Sequence, residues 1–328
     1  MEQYNVIIVG AGLAGLMAAK HLKEANIDYI VLEKEKIVGG RMATFISETG
    51  CADYGAQFFT TRSETMKTLA KQWQEENIVK KWTNGFPQMK SVDDLESLVI
   101  YQDGYPRYAG LHGMNPIAQK LAEGLNIRVR HCVENLSVDD GKWKVAVRKN
   151  SQETAFFYGD KLILTCPVPL SLKLLETSNI KIDENTEAML RQTSYFPCLT
   201  GILTLDKKTN IPSPGGIQIA EGMVAFISDN AQKGISETTT VTIHGGDVWS
   251  REHEHLADEE ILSLFIAGTR PLLGDGIILE KRLIRWKYSK PENLHPDEFA
   301  YSLVPLLVVF AGDIFRRGAV EGAILSGL

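Results

Sequence analysis

Three glycines and one acid near the start of the chain have the types and spacing that bind a dinucleotide. Residues 10–15 read GAGLAG, and Glu33 ends the next apolar segment. In this pattern Gly10 permits a tight turn, Gly12 lets the backbone approach a pyrophosphate, and Gly15 allows the following helix to pack on the strand. Helix N–H groups attract phosphate, and the acid accepts hydrogen bonds from a ribose diol. These residues predict a dinucleotide site, with NAD and FAD both possible ligands.

The segments around these residues predict the βαβ unit that must position them. Residues 5–9 (NVIIV) form an apolar, β-branched run typical of a strand buried on both faces. Residues 16–25 are rich in helix formers, and residues 28–33 have the pattern of a second strand. Strand, glycines, helix, strand and acid in this order are a much more specific signal than the glycines alone.

A second glycine pair, followed by an arginine, decides between the two cofactors. Residues 37–42 read IVGGRM, which resembles the GG-R motif of the flavin amine oxidase superfamily. In that group the glycines let the chain pass close to the FAD pyrophosphate, and the arginine lies near the phosphates or the flavin ring. A guanidinium supplies paired donors for an anionic group. The resemblance implies FAD, held noncovalently because no cysteine or histidine has the usual attachment context.

Further segments narrow the resemblance to the renalase family. They occur in the family's order and read DYGAQFFT at 53–60, GMNPI at 113–117, IHGGDVWS at 243–250, RWKYSKP at 285–291, FAGD at 310–313 and GAVEGAILSG at 318–327. The segments around His244 and Trp286 are the more specific ones. Ala319 stands where bacterial renalases often have arginine, and in the family the closing helix continues beyond the position of Leu328.

The resemblance also implies which residues contact FAD. Val133 matches a position that contacts adenine through its backbone, Thr165 lies in the stretch that returns beside the dinucleotide, and Asp313 matches an aspartate that bonds the ribityl chain or pyrophosphate. A helix starting near Val320 would direct its positive end at the flavin and favour the reduced anion. The expected contacts are Gly10, Gly12, Leu13, Ala14, Gly15, Glu33, Lys34, Gly40, Arg41, Met42, Ala56, Gln57, Phe58, Val133, Thr165, Gly312, Asp313, Val320, Glu321 and Ala323.

Four residues are expected to act on the substrate, namely His244, Trp286, Gln57 and Phe59. The resemblance places His244 beside the flavin, and a tryptophan can stack on a nicotinamide-type ring. It implies hydride transfer from isomeric dihydronicotinamides, 2- or 6-dihydro-NAD(P), to flavin N5, with O2 reduced to hydrogen peroxide. The product cation is aromatic, so the reaction needs no strong base, and the motifs contain no evident acid–base pair.

Two alternatives stay open. An amine oxidase or desaturase-like enzyme would share the first and last motifs but would need an aromatic cage or a long apolar tunnel. A flavin-binding protein without turnover is the second. We predict no metal site, because His253 and His255 point to different sides of a helix and no third ligand is evident.

The expected fold class is α/β: an FAD-binding Rossmann-like domain of the GR2 type with an inserted α+β substrate domain on a mixed or antiparallel sheet. The FAD domain is expected at 1–60, 125–170 and 300–328, and the substrate domain at 61–124 and 171–299. Apolar or alternating runs predict strands at 128–133, 143–148, 161–167 and 306–311 in the first domain, and at 199–205, 216–220, 223–228 and 239–245 in the second.

Composition excludes several classes of protein. The 328 residues carry 35 Lys and Arg against 41 Asp and Glu, a net charge of −6, which argues against a nucleic-acid binder. The 4 cysteines are widely separated and fit free thiols in a reducing compartment. No segment has the pattern of a signal peptide or membrane span. We expect a cytoplasmic protein whose partners are a small-molecule substrate and O2, with neither nucleic acid nor membrane.

Overall fold

A computed structural model describes residues 2–101, 103–149 and 153–328. The chain divides into two compact units. The first unit comprises Met1–Arg41, Ala118–Tyr195 and Lys290–Leu328, and the second comprises Met42–Ile117 and Phe196–Ser289.

The described residues form eighteen strands and nine α-helices. The strands are β1 Glu2–Val9, β2 Tyr29–Leu32, β3 Thr44–Ser47, β4 Gly50–Asp53, β5 Val79–Thr83, β6 Gln88–Met89, β7 Arg107–Gly110, β8 Ile127–Arg128, β9 His131–Asp139, β10 Lys142–Lys149, β11 Glu153–Leu164, β12 Ser194–Leu205, β13 Gly216–Ile219, β14 Val224–Asp229, β15 Thr239–Gly245, β16 Ile278–Asn293, β17 Ala300–Ser302 and β18 Val308–Phe310. The helices are α1 Leu13–Glu24, α2 Glu64–Glu75, α3 Asn115–Leu121, α4 Val168–Thr177, α5 Glu184–Arg191, α6 Asn230–Lys233, α7 Asp247–His253, α8 Asp258–Leu273 and α9 Ala319–Ser326.

The first unit is built on a sheet with the order β17-β18-β11-β1-β2-β8. The pairs β1–β2, β1–β11, β2–β8 and β11–β18 are parallel, while β10 pairs antiparallel with β11 and β9. All of β2 and the last four residues of β1 are buried, as their apolar runs predict. The expected βαβ unit of a Rossmann-like fold is therefore present.

The predicted strand at 128–133 is interrupted in the structure. Arg130 has φ +57°, in the left-handed region, and it separates β8 from β9. The backbone N–H groups of Arg130 and His131 donate to the carbonyls of Glu35 and Glu33. This segment therefore follows the loop after β2 before it pairs with β10, a long-range contact that periodicity does not show.

Most of the second sheet lies in the second unit, in the order β16-β12-β15-β14-β13-β6. One face packs on α8, where Ile217, Ile227 and Ile243 share a core with Leu262 and Phe265. The residues that alternate with these isoleucines lie on the other face. That face carries a row of residues directly opposite one another across the strands, namely Thr200, His244, Phe226 and Gln218.

The compact units differ from the predicted division at four places, of which 42–60 and 171–195 are the longest. Residues 42–60 belong to the second unit because β4 contacts β15, with Thr242 Oγ1 donating to the Asp53 carbonyl. Residues 171–195 belong to the first because α4 packs on β9. The predicted assignment of cofactor and substrate domains stays a prediction. None of the helices in the described residues has both the length and the apolar character needed to span a membrane.

Candidate active site

The glycine turn of the first unit lies between β1 and α1. Gly10 has φ +104°, a conformation that favours glycine. A Cβ on Gly15 would lie 2.0 Å from the Gly10 carbonyl oxygen, so only glycine permits this approach of helix to strand. A Cβ on Gly12 would meet nothing within 4 Å among the described residues, and no described side chain caps the start of α1 at Leu13 and Ala14. The backbone here is open to an anionic ligand.

Glu33 is held rigidly beside this turn. It is 7% exposed, and its Oε2 accepts from the Ala11 N–H at 2.7 Å while its Oε1 accepts from the Glu35 N–H at 2.8 Å. A carboxylate has about four acceptor sites, so two remain for a ribose diol. The adjacent Lys34 is exposed, and its Nζ lies 3.7 Å from Glu35 Oε1.

The GG-R turn lies against the glycine turn. The Gly39 N–H donates to the Ala11 carbonyl at 2.8 Å, and a Cβ on Gly40 would lie 3.8 Å from Gly12 Cα. The two glycine segments that sequence analysis identified separately therefore form one continuous backbone surface.

Arg41 and Asp313 contact each other, although sequence analysis assigned them separately to the cofactor. Their two bonds measure 2.6 Å from Nη1 to Oδ2 and 2.5 Å from Nη2 to Oδ1, a bidentate pair. The Arg41 guanidinium lies 5.7 Å from the centre of the Tyr195 ring, and the Tyr195 hydroxyl lies 3.5 Å from Asp313 Oδ1. Burial raises the pKa of Tyr195, so its phenol is neutral. Sequence analysis missed Tyr195, because no motif surrounds it.

The closing segment packs beside α1. A Cβ on Gly327 would lie 2.3 Å from the Ala14 carbonyl, and the Gly312 N–H donates to Ser326 Oγ at 2.9 Å. Glu321 is buried and accepts from Arg317 Nη1 at 3.3 Å. The other predicted residues of this helix are Val320, which is buried, and Ala323, which is half-buried.

Thr165 and Val133 complete the predicted set in the first unit. Thr165 Oγ1 donates to the Val9 and Gly10 carbonyls at 2.9 and 3.0 Å, so its hydroxyl supports the glycine turn. Val133 is half-buried on β9, opposite Val147. A pyrophosphate-accessible backbone, a helix start without a side-chain cap and a fixed acid fit FAD chemically.

The second unit places Gln57 beside His244. Gln57 Nε2 donates to the Asp53 carbonyl at 2.5 Å and lies 3.5 Å from His244 Nε2, while its Oε1 accepts from Ser228 Oγ at 2.9 Å. The His244 ring also donates to the Tyr54 carbonyl. The pKa of His244 is lowered to about 4, chiefly by burial; the Tyr54 hydrogen bond opposes this shift, and the Lys233 charge adds to it. His244 is therefore neutral at physiological pH.

Trp286 reaches the same loop from β16. Its Nε1 donates to the Tyr54 carbonyl at 2.9 Å, and its ring stacks on Tyr54 at 5.6 Å between centroids and 21° between planes. One face of the indole is therefore covered by Tyr54, which sequence analysis missed. Gln57, His244 and Trp286 thus meet around the main chain of residues 53–57.

Phe59 does not join this group. It is 3% exposed, stacks on Tyr108 at 5.5 Å and meets Trp73 edge-on at 5.8 Å, which is a packing environment. Its main chain pairs with Tyr108, and its predicted role at the substrate stays a prediction. Phe58 joins an aromatic cluster, defined by Phe58, Trp82, Phe86 and Phe226. Ala56 is half-buried and Met42 is buried.

A buried ion pair in the second unit was not predicted at all. Lys233 Nζ lies 2.7 Å from Asp53 Oδ2, and both side chains have 0% exposure. Asp53 lies in the motif at 53–60, but no signal pointed to Lys233.

In the described part of the chain, no group of three or more His, Cys, Asp or Glu side chains is placed to hold a metal ion.

Family models match most of the chain. Residues 86–328 match the family described as Flavin containing amine oxidoreductase. This chain belongs to that family. Residues 8–73 match an NAD(P)-binding Rossmann-like domain, which covers the glycine turn and Glu33. The protein is an FAD-dependent oxidoreductase, and FAD is its cofactor.

Comparison with individual proteins supports a renalase-like member of this family. The chain is 25% identical to renalase of Mus musculus, across 99% of this chain and 96% of that protein. It is 35% identical to a flavin-containing amine oxidase of Danio rerio, but over only 31% of this chain and 18% of that one.

Solved structures share the fold. A candidate protoporphyrinogen oxidase from Exiguobacterium has a TM-score of 0.73 at 12% identity, with 99% of this chain and 97% of that chain covered. A variant of putrescine oxidase has a TM-score of 0.69 at 13% identity, with the same coverage of each chain. At these identities the structures show the fold, and the substrate must be argued from this chain's own site.

Proposed function

We propose that this protein oxidises isomeric dihydronicotinamides, 2- or 6-dihydro-NAD(P), to NAD(P)+. The substrate loses a hydride, and O2 takes up that hydride's two electrons and proton together with one solvent proton to give hydrogen peroxide. Similarity to renalase over nearly the whole chain supports this substrate class. FAD, when bound, supplies the two-electron acceptor for this chemistry.

The observation that carries the proposal is the state of His244. Its ring hydrogen-bonds the Tyr54 main chain, and its Nε2 lies 3.5 Å from the Gln57 amide nitrogen. An imidazole whose pKa is lowered to about 4 is a weak general base, so His244 suits a role in orienting the substrate better than one in removing a proton. Oxidation of a dihydronicotinamide needs only orientation, because its product is an aromatic cation, whereas a protonated amine must first lose a proton.

The chain's own residues then have distinct tasks. Gln57 and His244 would line the polar side of the nicotinamide site, and Trp286 would shape its apolar side. In the first unit, Glu33 would hold the ribose diol and the backbone at Gly12 would accept the pyrophosphate.

The test is anaerobic stopped-flow absorbance of the flavin in the purified holoenzyme. We expect 2- or 6-dihydro-NAD(P) to bleach the flavin rapidly, and ordinary 4-dihydro-NADH and primary amines to bleach it far more slowly. A peroxidase-coupled assay in air should then detect one hydrogen peroxide for each NAD(P)+. Fast reduction by an amine without reduction by the isomers would indicate an amine oxidase instead. Failure of every reductant would indicate a flavin-binding protein without turnover.

A further inference from the structure

The buried ion pair of Asp53 and Lys233 carries a high free-energy cost of desolvation. Both side chains have 0% exposure, and burial lowers the pKa of Lys233 even though Asp53 opposes this. Removing two charges from water is expensive, and apolar residues of similar volume often stabilise a core as well. Such a pair is therefore more simply explained by what it holds in place than by stability.

Asp53 accepts hydrogen bonds that tie the 53–57 loop to several other segments. Its Oδ1 accepts from the Met114 N–H at 2.7 Å and from Thr44 Oγ1 at 2.5 Å, which leaves Oδ2 for Lys233. Its main-chain carbonyl accepts from Thr242 Oγ1 at 2.8 Å and from Gln57 Nε2 at 2.5 Å. The position of the carboxylate therefore determines the position of the carbonyl that anchors Gln57.

Lys233 is enclosed on the other side by an aromatic ring. Its Nζ lies 4.9 Å from the centre of Trp82, and Trp82 Nε1 donates to the Pro214 carbonyl at 2.8 Å. Trp82 also meets Phe58 edge-on at 6.5 Å. The ammonium thus contacts both the Asp53 carboxylate and the indole of Trp82, which is itself held by a hydrogen bond.

We propose that Lys233 is a positioning residue of the active site. Its pairing with Asp53 fixes the 53–57 loop and so directs the Gln57 amide at His244. This inference rests on the roles that the proposed function gives to Gln57 and His244. It concerns the geometry of the site and applies to whichever reductant the enzyme accepts.

The experiment compares Lys233→Met with a matched control, Lys67→Met. Lys67 pairs with Glu64 at 2.6 Å in the same unit, but its side chain is 53% exposed. In folded, FAD-loaded Lys233→Met we expect the limiting rate of flavin reduction to fall about tenfold or more, since small misplacements of orienting groups are costly. The rate is measured with the reductant that works best on wild type, and Lys67→Met should match wild type.

Nitrogen-15 NMR of the histidines gives a second readout that needs no substrate. Wild type should show one neutral tautomer at His244, with Nε2 as the acceptor from Gln57, and Lys233→Met should show a mixture. If Lys233→Met does not fold, Asp53→Asn/Lys233→Met leaves no buried charge without a partner, and the same two criteria apply to it.

A purely structural role would overturn the proposal. In that case the variant would melt at a lower temperature, while its folded fraction kept the wild-type reduction rate and a single His244 tautomer. Failure of dihydronicotinamides to reduce wild type would contradict the proposed function only, because the rate comparison and the NMR signature would still test Lys233.

Discussion

Two alanine substitutions in the glycine turn should separate folding from cofactor binding. A Cβ at position 15 would lie 2.0 Å from the Gly10 carbonyl, well inside van der Waals contact, so α1 must move away from β1. Overpacking of this kind costs about 3 kcal/mol or more. A Cβ at position 12 would meet nothing within 4 Å among the described residues, and Gly12 has φ −74°, which alanine adopts readily. Its effect on folding should stay within about 0.5 kcal/mol.

Gly12→Ala should instead reduce the affinity for FAD. Gly12→Ala places a methyl group where we expect the pyrophosphate to approach the backbone, so the Kd for FAD should rise about tenfold or more, about 1.4 kcal/mol. Urea unfolding of the apoprotein measures stability, and quenching of FAD fluorescence measures affinity. Wild-type FAD binding by Gly12→Ala would refute this reasoning about the site. Wild-type stability of Gly15→Ala would refute the packing argument.

Three further substitutions test the other parts of the site. The folded-state pKa of His244 is lowered from 6.5 to about 4, so between pH 4 and pH 6.5 the unfolded chain binds more protons than the folded protein. The free energy of unfolding should therefore rise with pH across this range. His244→Asn should flatten that rise, as measured by thermal unfolding at a series of pH values. Trp286→Phe keeps an aromatic ring but loses the donor to Tyr54 at 2.9 Å, so the unfolding free energy should fall by about 1 kcal/mol, and an unchanged value would show that this hydrogen bond contributes nothing. Glu33→Gln removes the charged acceptor of the predicted ribose site and should weaken FAD binding about tenfold in the same fluorescence titration, whereas unchanged binding would exclude Glu33 from that site.

Local chemistry made the cofactor region predictable from the sequence. The βαβ unit depends on the φ of Gly10, the missing Cβ of Gly15 and two apolar runs, all within a short stretch of chain. Backbone sterics and hydrophobic periodicity act over a few residues, so they can be read without the fold. The same holds for β12, β13, β14 and β15 of the second sheet, whose positions the sequence predicted.

The partners of the site residues are decided only by tertiary structure. Arg41 and Asp313 are 272 residues apart, Gln57 and His244 are 187 apart, and Asp53 and Lys233 are 180 apart. Each pair depends on how sheets and loops come together, and no local pattern encodes such a distance. The motif containing Phe59 likewise could not show which side of the loop its ring would take. The sequence by itself determined the cofactor class and the elements that bind it; the fold decided which polar groups meet, because burial and charge pairing depend on neighbours far away along the chain.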